Sequence, residues 1–300
     1  MTTQATQATQ QVQKSPIQVF TGILNHQSMQ KYLLETLGNK KQEFVANITT
    51  LVSNDVKLQE CEAKSVIFSA LKATALDLPL DPNLGMAYVI PFKNTKKGIK
   101  EAQFQIGYKG FTQLAIRSGQ FKTINVRDVR EGEIIGEDFI SGEMQFKRVE
   151  GREDKPVIGY VAYFRLINSF EKMSYWRIEE LVEHAKKYSQ TYTSQYQNVR
   201  DSSKWTTDFD GMAKKTVIKL LLSKYAPLSI QMQSAIKADQ AVITEQGERY
   251  IDNEPQQVLI PADQASKATD KVTDMLKGAF DAEIVDETNN ENQPKDNLFE

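Results

Sequence analysis

The sequence predicts an α+β domain in which helices surround a central, mainly antiparallel sheet. Apolar residues recur at helical spacing before residue 77 and again after residue 176, whereas the chain between these positions alternates in short strand-like runs. Polar connections that contain glycine, such as KNTKKGIK, separate these runs as in β-hairpins. Strands that cluster in the middle of a chain, with helices at both ends, are typical of the α+β class.

The individual elements follow from the same periodicities. The first predicted helix ends on Gly38, and the third carries Val66, Ala70 and Leu71 near helical spacing. A hairpin of AYVIPF and AQFQIG comes next, since both runs alternate in polarity. We predict helices over residues 28–38, 41–53, 61–76, 108–118, 177–188 and 206–225, and strands over residues 87–92, 102–107, 121–129, 132–148 in two pieces, 157–168 and 170–176.

The two ends of the chain differ from this folded core, which we predict to span residues 25–250. Residues 1–24 are predicted as a disordered leader, because their Gln/Thr repeats bury too little apolar surface to offset the entropy of ordering. Residues 251–300 are predicted as a helical segment followed by an acidic disordered tail. Its last twenty residues carry seven carboxylates, one lysine and the apolar tip Leu298-Phe299.

Composition excludes several classes of protein. The single cysteine, Cys61, excludes an internal disulfide and a cysteine-based metal site, and two histidines are too few for a histidine cluster. We therefore expect no metal and no other cofactor. The N-terminus lacks the apolar segment of a secretion signal, and no run approaches the roughly 18 apolar residues that span a bilayer. The expected location is the reducing cytoplasm of a bacterial host cell, with no membrane contact.

The net charge of −2 conceals two basic blocks. Nine basic residues face two acidic ones between Lys93 and Arg130, and eight face three between Lys186 and Lys224. The segment between them, residues 131–154, carries eight acidic residues and three basic ones. An isolated lysine is usually only solvated surface, but two separate blocks indicate a polyanionic partner.

The stretch QIGYKGFTQLAIRSG, residues 105–119, resembles the start of a phosphate-binding helix, with glycines on either side of Tyr108-Lys109. No Gly-Lys dipeptide occurs in the 300 residues, which excludes a nucleotide P-loop. Lys109, Gln113 and Arg117 fall at i, i+4 and i+8, about 6 Å apart along one face, a spacing that suits the backbone of an extended nucleic-acid strand. The alternative is an ordinary polar helix face.

The 206–225 helix contains the second candidate group. A buried stripe of Ala213, Val217, Leu220 and Leu221 leaves Lys215 and Lys219 on the open side. Lys214 falls among apolar positions, where it either snorkels past the helix end or contacts a phosphate. The aromatic residues near both blocks either stack on bases or belong to the core, and they are Tyr88, Phe92, Phe104, Tyr108, Phe121, Tyr188, Tyr192, Tyr196 and Trp205.

Three motifs resemble the RecT family of phage single-strand annealing proteins: PLDPNLGMAYVIPFKN, QFQIGYKGFTQLAIRSG and WTTDFDGMAKKTVIKLLLSKYAPLS. They occur in the family's order within residues 25–230. The resemblance implies an annealing-protein-like fold and an ATP-independent recombinase that coats single-stranded DNA as an oligomeric ring or helical filament and anneals a complementary strand. The implied partners are single-stranded and annealed duplex DNA, further copies of the chain, a phage exonuclease and the host single-strand-binding protein.

The resemblance gives residues 25–250 the role of a DNA-binding and oligomerisation core, without catalytic residues. It carries a DNA-binding role to Tyr108, Lys109, Arg117, Trp205, Lys214, Lys215 and Lys219. Together with the charge pattern, it predicts the DNA-binding set Lys93, Lys97, Lys100, Tyr108, Lys109, Gln113, Arg117, Arg127, Trp205, Lys214, Lys215 and Lys219.

Two other functions stay open at this point. A metal-dependent nuclease would use Asp208 and Asp210, although paired acids at the start of a helix are also explained by the helix macrodipole. A structural or scaffolding phage protein would explain oligomerisation and the polar tails, and it would have no affinity for DNA. Incubation of labelled DNA with Mg²⁺ and no ATP separates the three functions.

Overall fold

A computed structural model describes residues 15–94 and 97–249 of the chain. Residues 1–14, 95–96 and 250–300 lie outside the described ranges, and with them the predicted C-terminal segment and acidic tail. Within the described ranges no helix is long and apolar enough to cross a membrane.

Helices form the first part of the described chain. They are α1 (Pro16–Asn25), α2 (Gln27–Leu37), α3 (Lys41–Asn54), α4 (Val56–Gln59) and α5 (Ala63–Ala75). The helix α1 begins with Pro16 in its first turn and buries Phe20 and Leu24, so the prediction of a disordered leader is wrong for the part of residues 1–24 that follows Ser15. Because α1 contributes to the core, the folded region begins earlier than residue 25.

A hairpin and a helix follow, as predicted. The strands β1 (Ala87–Asn94) and β2 (Ile99–Ile106) pair antiparallel, with Lys93 opposite Lys100 near the turn. The helix α6 (Tyr108–Arg117) buries Phe111, Leu114 and Ala115, which is the apolar stripe that its sequence predicts. One polar face of α6 is therefore left outside the core.

The central sheet has three strands, β3 (Phe121–Arg130), β6 (Val157–Leu166) and β7 (Glu171–Arg177), all antiparallel in the order β3-β6-β7. A small hairpin of β4 (Ile134–Glu137) and β5 (Met144–Phe146) is inserted between β3 and β6 and pairs only with itself. Bulges in the β3–β6 register lie next to Phe121 and next to Arg130, the second at the point where the inserted hairpin leaves the sheet.

The last described part is again mainly helical. It contains α7 (Ile178–Tyr188), α8 (Gln197–Asp201), α9 (Lys204–Thr207), α10 (Phe209–Tyr225) and α11 (Ile230–Ala238), followed by the short hairpin β8 (Val242–Thr244) and β9 (Gly247–Arg249). The hairpin β8–β9 returns to the first half of the chain, where Phe104 donates its backbone N–H to Ala241 O at 2.9 Å. The helix and strand order confirms the predicted α+β class with antiparallel pairing.

Two groups of buried apolar residues form the core. One lies among α1 to α5 and the underside of β1 and β2, and includes Leu33, Ile48 and Ile67. The other lies between the three-stranded sheet, α6, α7, α10 and α11, and includes Phe111 and Phe164. The helix α5 is buried at nearly every position and separates the two groups, so α6 and α10 face each other in the second group.

Candidate nucleic-acid interface

Aromatic and basic side chains meet where α6 begins. Lys109 is exposed and makes no ion pair within the described residues, while the Nζ of Lys214 lies 5.8 Å from the ring centre of Tyr108. The hydroxyl of Tyr88 and the aliphatic part of Lys109 both approach Gly85, within 4 Å of where a β-carbon would stand. Burial, together with the carboxylate of Asp208, raises the pKa of Tyr88. We call Tyr88, Tyr108, Lys109 and Lys214 the α6 corner.

The glycines of this turn serve the protein's own backbone. A β-carbon on Gly107 would lie 2.2 Å from Gly85 O, and one on Gly110 would lie 2.2 Å from Met86 O. Gly107 also donates its N–H to Met86 O at 2.9 Å. The expectation that Gly107 and Gly110 admit a DNA backbone is therefore wrong, because the 85–86 segment already occupies that space.

The predicted row along α6 is open only at its start. Lys109 is exposed and Gln113 is half-buried, without a hydrogen bond from its side chain to any described residue. Arg117 instead reaches back to the end of α5, where its guanidinium donates to Leu76 O at 3.1 Å and Asp77 O at 3.2 Å and lies 3.3 Å from the Asp77 carboxylate. Since unpaired carbonyl groups end every helix, Arg117 has a structural task there.

The basic residues of the β1–β2 hairpin and β3 differ in how far they are paired. Lys100 forms an ion pair with Glu60, and the Nζ of Lys97 lies 3.5 Å from the buried carboxylate of Glu101. Lys93 and Arg127 are both exposed and form no ion pair within 4 Å among the described residues. With Lys109 they are the predicted DNA-binding cations whose charge is free for an anionic partner.

The lysines of α10 are in a different environment. Lys215 is only 5% exposed, and its ammonium donates to Asp239 Oδ1 at 2.8 Å. Lys219 donates to Asp239 Oδ2 at 2.7 Å, and the backbone N–H of Ile106 donates to Asp239 Oδ1 at 3.0 Å. Burial opposes ionisation of Asp239, but the two ammonium groups and these hydrogen bonds outweigh it and lower its pKa to about 2.

The prediction that Lys215 and Lys219 lie on the open side of α10 is therefore wrong. The helix is surrounded by α6, β3, β6 and β7, and Lys215, Thr216, Val217 and Ile218 are all buried in succession. A helix covered on most sides has no single apolar stripe, so a helical wheel cannot identify its open face. The partner Asp239, which follows α11, was not among the predicted site residues, and a lysine pair at i, i+4 among apolar residues is the one signal that could have indicated a carboxylate partner.

Lys214 and Trp205 also turn out differently from expectation. Lys214 lies at the surface edge of the core and pairs with Asp210 at 2.7 Å, so it is neither snorkelling alone nor fully open. Trp205 is 6% exposed and packs against Phe209, with ring centres 5.6 Å apart. A tryptophan buried in this way cannot stack on a base, and its predicted contact with DNA is contradicted.

A small cavity of about 30 Å³ lies between the buried lysines and the aromatic residues of α7 and α9. Its lining includes Lys219, Asp239, Trp205 and His184. Burial and the positive charges of Lys219 and Lys187 lower the pKa of His184 to about 4, so the imidazole is neutral at physiological pH.

The two acids of the alternative nuclease site have structural roles. Asp208 is the N-cap of α10 and accepts a hydrogen bond from the Gly211 N–H at 3.1 Å. Asp210 pairs with Lys214 and interacts with the hydroxyl of Tyr160, whose pKa burial and this carboxylate raise. No group of three or more potential metal ligands occurs among the described residues.

Comparisons with known proteins give a consistent result. A family model described as the RecT family matches residues 42–257. The chain is 38% identical over 264 residues to the uncharacterized protein YqaK of Bacillus subtilis (strain 168), covering 86% of each chain. It is 33% identical over 245 residues to the protein RecT of Escherichia coli (strain K12), covering 79% of this chain and 85% of the relative.

Proposed function

Because the chain belongs to the RecT family, a family of single-strand annealing proteins of DNA recombination, we propose that it binds single-stranded DNA and anneals a complementary strand without ATP, as a ring or helical filament. The family match, which runs from the start of α3 past the end of β9, is the observation that supports this function most strongly. Annealing needs grip on one phosphate backbone while the base edges stay free to test a second strand.

The proposed contacts with DNA begin with the cations that have no protein partner. Lys93, Lys109 and Arg127 are exposed and form no ion pair within the described residues, so each can replace a counterion on a phosphate group. Tyr88 and Tyr108 of the α6 corner are half-buried and offer ring edges beside Lys109. The buried pair Lys215 and Lys219 is not part of this proposal, since its charge is taken by Asp239.

Nothing in the sequence provides a nucleotide-binding loop, which is why we propose annealing without ATP. We also propose that the protein acts without catalysis of its own, because Asp208 and Asp210 are engaged in a helix cap and an ion pair. Base pairing between the strands then supplies both the specificity and the free energy of the product.

The test uses the full chain with two complementary strands, one end-labelled, in Mg²⁺ or Mn²⁺ without nucleotide. We expect duplex formation well above the spontaneous rate, full-length strands in a denaturing gel, and no change on addition of ATP. Shortened strands would favour a nuclease, and absence of DNA binding would favour a scaffolding protein. Mass measurements with and without a single strand test the proposed assembly.

The partners of the acidic tail are a separate proposal. Residues 281–300 lie outside the described ranges, but their seven carboxylates repel DNA and their tip Leu298-Phe299 offers an apolar contact. We propose that this tail engages the exonuclease or the host single-strand-binding protein in the bacterial cytoplasm. Truncation after Phe280 should leave annealing of naked strands intact and weaken annealing of strands coated with the host protein. Loss of annealing on naked strands would place the tail in the core or the filament instead.

A further inference from the structure

The inserted hairpin β4–β5 presents two fully exposed apolar side chains. Phe139 is 98% exposed and Ile140 is 94% exposed at the tip. Asp138 fixes the turn beneath them, since its carboxylate accepts the N–H groups of Ile140 at 3.1 Å and Ser141 at 2.7 Å. The two side chains are therefore held outwards by a hydrogen-bonded turn, without a contact to compensate for their exposure.

The base of this hairpin is rigid. Arg152 donates to Glu133 at 2.6 Å and lies 3.0 Å from the carboxylate of Asp128, which Arg130 also contacts at 2.8 Å. Burial opposes ionisation of Asp128 and Glu133, yet the arginines and neighbouring N–H groups lower the pKa of both. A tip held by such a network loses little conformational entropy when it binds, which favours a role as a docking element.

The charges around the tip decide the class of partner. Residues 134–146 carry three carboxylates, those of Glu137, Asp138 and Glu143, and no basic residue. Apolar side chains that insert between DNA bases are normally accompanied by basic residues, and the carboxylates here would be repelled by phosphate groups. The tip instead fits a protein surface that combines exposed apolar groups with lysines.

The chain itself carries such a surface at the other basic region. Val56, at the start of α4, is 68% exposed, and Ile99, at the turn of the β1–β2 hairpin, is 40% exposed. Lys57 and Lys93 are exposed on the same two elements. Cys61 joins these elements, because its Sγ lies 3.3 Å from Lys57 O while its backbone bridges to Lys100. We call Val56, Lys57, Lys93 and Ile99 the α4 surface.

We propose that the β4–β5 tip of one copy of this chain docks on the α4 surface of a second copy, with Phe139 and Ile140 against Val56 and Ile99 and the carboxylates near Lys57 and Lys93. The inference rests on the proposed assembly of the chain and specifies its interface. The two surfaces differ, so the contact is head-to-tail. Such a contact leaves one free tip and one free α4 surface at the ends and generates rings or open filaments.

The first test removes each surface separately. Phe139→Ser with Ile140→Ser removes the tip, and Val56→Asp places a like charge on the α4 surface. Each variant alone is expected to sediment mainly as the 34.0 kDa monomer under conditions where the wild-type chain assembles. Ile230→Ser, at an 80% exposed isoleucine outside both surfaces, is the matched control and should assemble normally.

Mixing the two variants tests the head-to-tail geometry. The tip variant keeps an intact α4 surface and the Val56→Asp variant keeps an intact tip, so the mixture can form one contact and no chain. We expect a species of twice the 34.0 kDa chain mass and nothing larger. A mixture that stays monomeric, or variants that assemble like the wild type, would overturn the proposed interface.

A cross-linking experiment avoids reliance on the fold of the variants. Under oxidising conditions a Phe139→Cys chain should form an intermolecular disulfide with a Val56→Cys chain at least tenfold faster than with a Leu34→Cys chain. Equal rates would contradict the proposal. A wild-type chain that stays monomeric with and without DNA would remove the proposed assembly itself, whereas normal assembly with lost annealing in the tip variant would assign the tip to DNA.

Discussion

Two groups of cations in this protein have the same residue types and opposite environments. Lys215 and Lys219 lie inside the core on a shared carboxylate, while Lys93 and Lys109 lie at the surface without an ion pair among the described residues. The buried group contributes its charge to Asp239, and the exposed group keeps its charge for solvent or an anion. Basic content in a sequence therefore measures binding capacity only after the paired cations are subtracted.

The comparison also separates what each group costs the protein. A lysine at the surface keeps its hydration, so its replacement has little effect on stability. A lysine in the core loses that hydration and is tolerated because a carboxylate and hydrogen bonds replace the water. Substitutions in the two groups should therefore change different measurements.

The largest effect is expected when the shared carboxylate is removed. Asp239→Asn leaves the ammonium group of buried Lys215 without a counter-charge, and the loss of one partner of a buried ion pair typically costs about 3–5 kcal/mol. We expect a loss of this size in the free energy of unfolding, measured by urea titration. The matched control is Asp77→Asn, whose ion pair with Arg117 lies at the surface and should contribute less than about 1 kcal/mol. Equal losses would show that the α10 lysines are not desolvated.

Acid should destabilise the same region in two steps. His184 has a pKa of about 4 in the folded protein against about 6.5 unfolded, so its contribution is complete above pH ~6.5 and is lost as the pH falls through about 4. Asp239, with a pKa of about 2, extends the loss from about pH 4 downwards.

The His184 step amounts to about 3 kcal/mol at most. His184→Gln should flatten the dependence of the unfolding free energy on pH between about 6.5 and 4, and the exposed His26→Gln is the control. The quantity compared is the slope with pH, because the substitution can change the absolute stability. An unchanged slope in His184→Gln would place its imidazole in contact with water.

The exposed cations should affect DNA binding instead. Lys93→Gln combined with Lys109→Gln removes two proposed phosphate contacts, and each contact adds about 0.7 to the log-log salt slope for a single strand. We expect the slope to fall by about 1.4 and the urea midpoint to stay the same. Lys186→Gln, at an exposed lysine paired with Glu183, is the control. If the double substitution leaves both slope and affinity unchanged, these lysines belong to ordinary surface.

Lys214 lies between the two groups and should give the smallest effect on stability. Its ammonium pairs with Asp210 one helical turn away and lies over the ring of Tyr108. Helix pairs of this kind contribute about 0.3–0.5 kcal/mol, so Lys214→Met should change the unfolding free energy by less than about 1 kcal/mol. A clear loss of DNA affinity at unchanged stability would add Lys214 to the exposed group, and normal affinity would remove it from the interface.

The sequence predicts much of this fold because most elements have one buried face. The stripe Phe111, Leu114 and Ala115 identifies α6, and the alternating β1–β2 hairpin is found in register. The helix α1 escaped because it directly follows the Gln/Thr repeats. Elements of three to nine residues, such as β8, β9 and α11, are too short for a period to be recognised.

The candidate site is less accessible to sequence reasoning, for a physical reason. Lys109 could be predicted because the apolar face of its helix indicates which side stays open. The burial of Lys215 depends on packing from several elements at once, and its partner Asp239 follows 24 residues later, after another helix. A charge becomes structural only through such a distant partner, and a local pattern does not contain it.

The return of the β8–β9 hairpin to the first half of the chain has a consequence for synthesis. Asp239 accepts the N–H of Ile106, Ala241 accepts the N–H of Phe104, and Arg249 reaches Glu101 at 2.5 Å. The edge of β2 is therefore closed by residues made more than a hundred positions later. At about 5–20 residues per second, a ribosome needs roughly 7–30 s to reach them. During this interval the nascent chain carries an open strand edge, the kind of surface that pairs with other chains, and only the arrival of β9 closes it.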